Sequence, residues 1–264
     1  MPAVEQDLTQ GSVTRKLVRY ALPLVASSLL QAIYSITDII IAGHYIGDVG
    51  ISAINNASQV MMILTQIIMG ITTGGNILMG QYFGSKDRSN RVKTNRTMFG
   101  FALSAGALLS VLLFLLSHPI LASLRAPALE EATAYLQVCS AGLIAIFGYN
   151  ALAAMLRSVG NSKQPFYCVA VTAGCNIALD CLFMGGFRWG VRGAALATVL
   201  AQWASFVVCL VYVLRHRDLF GLVWRQISFH KDKMVQILKL GIPCAVQMTV
   251  VGLSWLAMTF LINA

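Results

Sequence analysis

Residues 20–42 read YALPLVASSLLQAIYSITDIIIA, a run of apolar and small side chains interrupted by a single charge, Asp38. As a helix rising 1.5 Å per residue it exceeds the roughly 20 residues that cross about 30 Å of hydrocarbon. Arg15, Lys16 and Arg19 flank it on the N-terminal side, behind a polar tail that carries Glu5 and Asp7. The run is too long for the apolar region of a signal peptide and lacks a convincing cleavage site, so it reads as a first spanning helix that stays in the mature protein.

The pattern repeats along the chain. Further apolar runs occupy about Ala53–Met79, Met98–Leu116, Thr133–Leu156, Phe166–Met184, Ala194–Leu214 and Val235–Ile262. Strands of a membrane barrel would alternate apolar and polar residues over about ten positions, which none of these runs does. Composition agrees: across 264 residues, 57% are hydrophobic and 11% charged, with a mean hydropathy of +0.72. A soluble domain carries about 25% charged and 45–50% apolar residues. The expectation is an all-α polytopic membrane protein with seven spanning helices.

A formal charge of +9 would suggest nucleic-acid binding in a soluble protein. Here the basic residues occupy short links, without a basic stripe or interleaved aromatics, so they carry topology and no nucleic-acid partner is expected. Arg15, Lys16 and Arg19 precede helix one. Lys86, Arg88, Arg91, Lys93 and Arg96 occupy the second link, Arg157 and Lys163 the fourth. Arg215, Arg217, Arg225, Lys231, Lys233 and Lys239 occupy the sixth. The opposite side holds Arg125, Arg188 and Arg192 alone. This asymmetry predicts a cytoplasmic N-terminus in a cell (inner) membrane and a seventh helix running outward, with the bilayer as the main partner. Asn95-Arg96-Thr97, a formal glycosylation sequon, then faces the cytoplasm and stays unmodified.

The organisation expected is a tail at 1–14, a six-helix lobe at 15–214, a linker at 215–234, and at 235–264 a first helix of a truncated second lobe. The chain stops at Ala264 directly off an apolar run, and a pattern begins again there. Arg19, Leu22 and Pro23 align with Lys239, Ile242 and Pro243 at an offset of 220 residues. Six helices per unit would make such repeats parallel rather than inverted.

Two acids do not belong in oil. Asp38 and Asp180 lie inside apolar runs, where an insertion scale charges about 2.5–3.5 kcal/mol at a helix centre. Asp38 follows Arg19 by 19 residues and Asp180 follows Lys163 by 17, which places both about 25–28 Å from the basic ends. Gln31, Tyr34 and Asp38 share one helical face, and Asn176 and Asp180 another. Such oxygen-rich faces suit a proton or a small hard cation such as sodium. The plainer alternative has Asp38 snorkelling to the interface and Asp180 as a hydrogen-bonded structural carboxylate.

No enzyme is expected. His44, His118, His216 and His230 lie in loops or at helix ends without a metal-binding spacing. Gly70-Ile71-Thr72-Thr73-Gly74-Gly75-Asn76 lacks the Gly-Lys-Ser/Thr end of a phosphate loop. Its glycines, with Gly80 and Gly84, read as sites of close helix packing. Met61, Met62 and the methionines from Met69 to Met79 read as core. Cys139, Cys168, Cys175, Cys181, Cys209 and Cys244 read as small buried hydrophobes, with no cofactor or structural metal implied.

Several stretches together resemble the multidrug and toxic compound extrusion (MATE) transporters. They are Leu22-Pro23-Leu24 through Tyr34-Ser35-Ile36-Thr37-Asp38, Gly80-Gln81-Tyr82-Phe83-Gly84, Arg157-Ser158-Val159-Gly160-Asn161-Ser162-Lys163-Gln164-Pro165, Asn176-Ile177-Ala178-Leu179-Asp180, and Gly190 to Thr198. The resemblance covers about residues 15–264. It implies a twelve-helix fold of two six-helix lobes, of which helices eight to twelve are missing here, monomeric when full length. It also implies export of cationic or amphiphilic organic compounds in exchange for protons or sodium. Asp38, Asn176, Asp180 and Thr198 would form the cation site, and Pro23 would let helix one bend. The alternatives weighed are a lipid-linked oligosaccharide flippase of the same superfamily, whose cavity should be cationic, and a seven-helix receptor, whose N-terminus should lie outside.

Overall fold

Glycine alone reaches a left-handed φ without pressing a Cβ against its own carbonyl, and one such residue organises the first third of the chain. The computed structural model describes residues 12–124, 126, 128–222 and 228–263. Helix α1 runs from Val13 to Gly84 and is broken at Gly47, where φ is 72° and ψ −172°. Its two arms, residues 13–46 and 48–84, fold back on each other, so that Asp38 and Ala42 of the first line a cavity with Ile51, Asn55 and Ser58 of the second. Helices α2 (Arg88–Ser123), α3 (Leu129–Ser140) and α4 (Leu143–Ser158) come next. After them come α5 (Lys163–Asp180) with a π-helical turn at Cys181–Gly186, α6 (Gly190–Arg215), the short α7 (Arg217–Phe220) and α8 (Lys231–Asn263). No strand occurs among the described residues.

Among the described residues five helices are long and apolar enough to span a bilayer, and six if α3 and α4 form one bent span. Gly47 divides the first of these into two arms that each exceed a bilayer's thickness, which yields seven crossings. The run at Thr133–Leu156, expected as one helix, bends by 48° between α3 and α4. At the bend the ladder tightens to three-residue spacing: Ala141 N–H donates to Val138 O and Gly142 N–H to Cys139 O. A side chain at Gly142 would meet Val199 of α6 at 3.3 Å, so α6 passes close to the break.

Between lipid-covered helices apolar surface gains little by leaving lipid, and close packing of small residues does the work instead. Helix α4 occupies the centre, with Ala151 to Leu156 all fully buried. Along the α1–α8 seam, a Cβ on Gly70 or Gly74 would overlap the backbone at Ala245 or Gly241, and one on Gly241 would lie 2.7 Å from Ile71 Cα. Gly84 departs from the packing reading, with nothing within 4 Å of a Cβ placed there, and at Gly80 the nearest atom is 3.8 Å away. Both sit in the last turns of the arm.

Three cysteines, Cys139, Cys168 and Cys209, are buried, but Cys175 and Cys244 are half-buried and Cys181 is exposed on the outer side of the π-turn, against the expectation of uniform burial. Met79 is fully buried whereas Met62 and Met69 are exposed. The first arm of α1 is the least embedded helix: its most apolar stretch buries none of its residues. The tail expected at 1–14 lies outside the described residues up to residue 11, as do Arg125 and Arg225.

Candidate ion site between α1, α5 and α6

Four elements converge where the two acids sit. Because Gly47 turns the chain back, the Asp38 face of the first arm meets Ile51, Ile54, Asn55 and Ser58 of the second across a cavity of about 130 Å³. Asp180 enters from the last turn of α5, immediately before the π-turn, which adds a residue to the helical register and redirects the chain toward α6. Thr198 of α6 and Tyr135 of α3 complete the lining.

The two carboxyls are close enough to share a proton, and Tyr34 lies beside both. Asp180 and Asn176 are 2% and 1% exposed. Asp38 turns into the bundle with its Oδ1 buried. Asp38 Oδ1, Asp180 Oδ1, and both Oδ1 and Nδ2 of Asn176 are buried without a hydrogen-bond partner. A buried polar atom left unpaired costs about 1–3 kcal/mol, so folded proteins seldom gather several without using them. Thr198 Oγ1 donates to Ala194 O at 3.0 Å, which leaves its oxygen lone pairs directed elsewhere.

The donors are oxygens with two carboxylates among them, a set that suits a proton or a hard monovalent or divalent cation. Among the described residues no group of three or more His, Cys, Asp or Glu side chains gathers as a transition-metal site would require. Asn176 is buried one turn from Asp180 but does not line the cavity wall, and Gln31 is exposed, away from the acids with which helical spacing grouped it. Two turns of helix separate Gln31 from Asp38, enough to carry it past the cavity. Pro23 lies within α1, where the carbonyl one turn back loses its N–H partner, while Ser27 Oγ donates to Pro23 O at 2.8 Å.

Asn55, Ser58 and Tyr135 were not singled out by sequence. Asn55 and Ser58 stand three residues apart in an apolar run, a signal that becomes legible once the reversal at Gly47 is known. The same Ile51, Asn55 and Ser58 also border a wider, open cavity of about 680 Å³, lined further by Asp48, Ser52, Asn56, Gln59 and Met62. The ion-sized pocket thus adjoins a space large enough for an organic molecule.

Comparison with known proteins places this geometry in context. The MatE family profile matches residues 23–182. Two Bacillus subtilis (strain 168) proteins are similar along almost the whole chain. The probable multidrug resistance protein YoeA is 28% identical over 99% of this chain and 58% of its own length, and YpnP, of the same description, 29% over 98% and 58%. The chain therefore spans a little over half the length of these relatives. A solved structure of a multidrug resistance MATE family transporter of the MOP superfamily, in its outward-facing conformation, superposes with a TM-score of 0.84 at 22% identity, over 90% of this chain and 53% of that one.

Proposed function

The chain belongs to the MatE family, a family of transporters rather than enzymes, and from that premise we propose that it supplies the ion-coupling lobe of a secondary antiporter. The antiporter exports cationic or amphiphilic organic compounds from the cell across the inner membrane, in exchange for protons or sodium, with the N-terminus in the cytoplasm. The asymmetry of Lys and Arg between alternate links supports the orientation. One observation carries the rest: two carboxylates with unpartnered buried oxygens line a pocket that adjoins an open polar cavity, with the unpartnered amide of Asn176 one turn from Asp180.

An ion entering between Asp38 and Asp180 offsets part of their negative charge and weakens the repulsion between their helices. Asp38 rides on the sparsely packed first arm, whose ladder is already interrupted at Pro23, so a change at the acids is absorbed by bending there. The bend narrows the neighbouring space lined by Asn55 and Met62 and weakens cargo binding. Linkage then requires that bound cargo weaken ion binding by the same factor. Asp48 on the wall of the wider cavity, with the two acids in the adjoining pocket, favours cationic cargo and opposes the pyrophosphate of a lipid-linked sugar.

The test is efflux of a fluorescent organic cation by the complete natural protein in cells stripped of their own pumps. Asp38→Asn and Asp180→Asn each abolish ion-driven export while membrane expression stays normal. Export at the wild-type rate by both variants refutes the assignment.

A further inference from the structure

The basic link between the second arm of α1 and α2, read from sequence as a topology signal, does something more local. Helix α2 opens with Arg88, Arg91, Lys93 and Arg96 and has no acidic residue in its first turn. Positive charge at a helix N-terminus opposes the helix dipole, so Arg88 and Arg91 stand in the first turn against the local preference, offset in part by Asp87 at the N-cap. A topology signal needs charge on one side of the membrane and nothing else, and exposed side chains provide it. Arg91, however, is 8% exposed and the uncharged Asn95 2%.

Their partners explain the burial. Arg88 Nη2 donates to Asp218 O at 2.8 Å and Arg91 Nη2 to Leu219 O at 3.1 Å. Asn95 Nδ2 donates to Phe220 O at 2.7 Å and Arg96 Nε to Gly221 O at 2.9 Å. Four side chains on one helix thus take four consecutive carbonyls at the C-terminal end of α7, the groups a short helix leaves without internal partners. Gly221 ends α7 with φ at 62°, where a Cβ would overlap Val92 of α2, and Phe220 and Leu222 beside it are buried. Beyond residues 223–227 the same helix takes hold again: His230 N–H donates to Thr97 Oγ1 at 3.1 Å. One residue later α8 begins, and Lys233, 4% exposed, donates to Tyr82 OH at 2.9 Å.

We propose that the first turns of α2 are a mount on which α7 and the residue just before α8 are held, with Arg91, Asn95 and Arg96 as positioning residues that fix the point from which α8 departs. The proposal rests on the antiport reading, in which α8 leads into the moving second lobe. The mount makes the root of that lobe travel with α2, so rocking occurs above a fixed base rather than on a free tether.

Two measurements on the complete natural protein, its native cysteines replaced by alanine for the first, test this. With Thr97→Cys and His230→Cys oxidised to a disulfide, the efflux rate stays within twofold of the reduced protein, because the joined segments never part. Abolition of efflux by that cross-link overturns the proposal. Asn95→Ala and Arg96→Ala lower the maximal efflux rate at least fivefold while the drug concentration for half-maximal rate stays unchanged, and wild-type maximal rates in both overturn it. If the parent protein moves no drug, the antiport reading fails and the mount is judged by cross-linking yield in native membranes. A near-complete yield that is the same in sodium, choline or acidic medium supports it, and one that falls with any of these refutes it.

Discussion

The seam between the second arm of α1 and α8 has no slack, and Gly241→Ala measures how little. A methyl group built on Gly241 lies 2.7 Å from Ile71 Cα and 2.9 Å from Ile71 O. Both are backbone atoms, so no rotamer change makes room. Non-bonded carbon atoms settle about 3.5–4.0 Å apart, and the helices must therefore separate by about 1 Å along the contact. Overpacking of this kind costs about 1–3 kcal/mol. Offsetting this, alanine in a helix interior gains up to about 1 kcal/mol over glycine. Gly174→Ala, inside α5, isolates that gain, since nothing lies within 4 Å of its added methyl. At about 2–4 °C per kcal/mol for a domain of this size, Gly241→Ala melts several degrees below Gly174→Ala. The assay is heating in detergent and then fluorescence-detected size exclusion, with both variants beside wild type. Equal melting temperatures for the two variants refute the idea that backbone contact at this seam holds α8.

The geometry predicts three further outcomes. Gly47→Val forces a β-branched residue to a φ of 72° and a ψ of −172°, a region essentially confined to glycine, at a cost of about 1–3 kcal/mol, and displaces the second arm from Asp38. Efflux falls in transport assays although both acids remain, and a wild-type rate contradicts the role of the reversal. Thr198→Ala removes an oxygen from the cavity wall and weakens ion affinity about tenfold, read as a shift in the ion concentration for half-maximal efflux with expression unchanged. At the head of α2, the Asn90 side chain and then its N–H hold the Asp87 carboxyl below its ordinary pKa. Its stabilising effect is present above the ordinary carboxylate pKa and fades as pH falls through the depressed one. Asn90→Ala removes the side-chain amide but keeps the N–H, so it moves the Asp87 carboxyl titration, monitored by NMR, part of the way back toward the ordinary value, and an unmoved midpoint refutes the side-chain contact.

Hydropathy made the crossings legible because a bilayer imposes a length that any window of about 20 residues detects. The same window is blind to direction. It separates the runs on either side of Gly47 without saying that one residue turns them, and it passes over the break at Ala141-Gly142 because both halves are apolar. Asp38 and Asp180 stood out because charge in oil is expensive. Their neighbours did not, since Asn55, Ser58 and Tyr135 are ordinary polar residues whose meaning comes from contacts distant in sequence. Helical spacing placed Gln31 with Asp38, but spacing names a face and cannot say how far along it a cavity extends. Arg91 and Arg96 were legible only as charge, because the carbonyls they hold belong to every residue alike.

The first arm of α1 buries none of its most apolar stretch against the rest of the chain, so few packing contacts fix its tilt. Hydrophobic mismatch then acts on the gap between the two acids as directly as a mutation does, at a fraction of a kcal/mol per ångström. Reconstitution in lipids of graded chain length is accordingly expected to shift the ion concentration at which export switches on, making membrane thickness a tuning parameter of the exchanger.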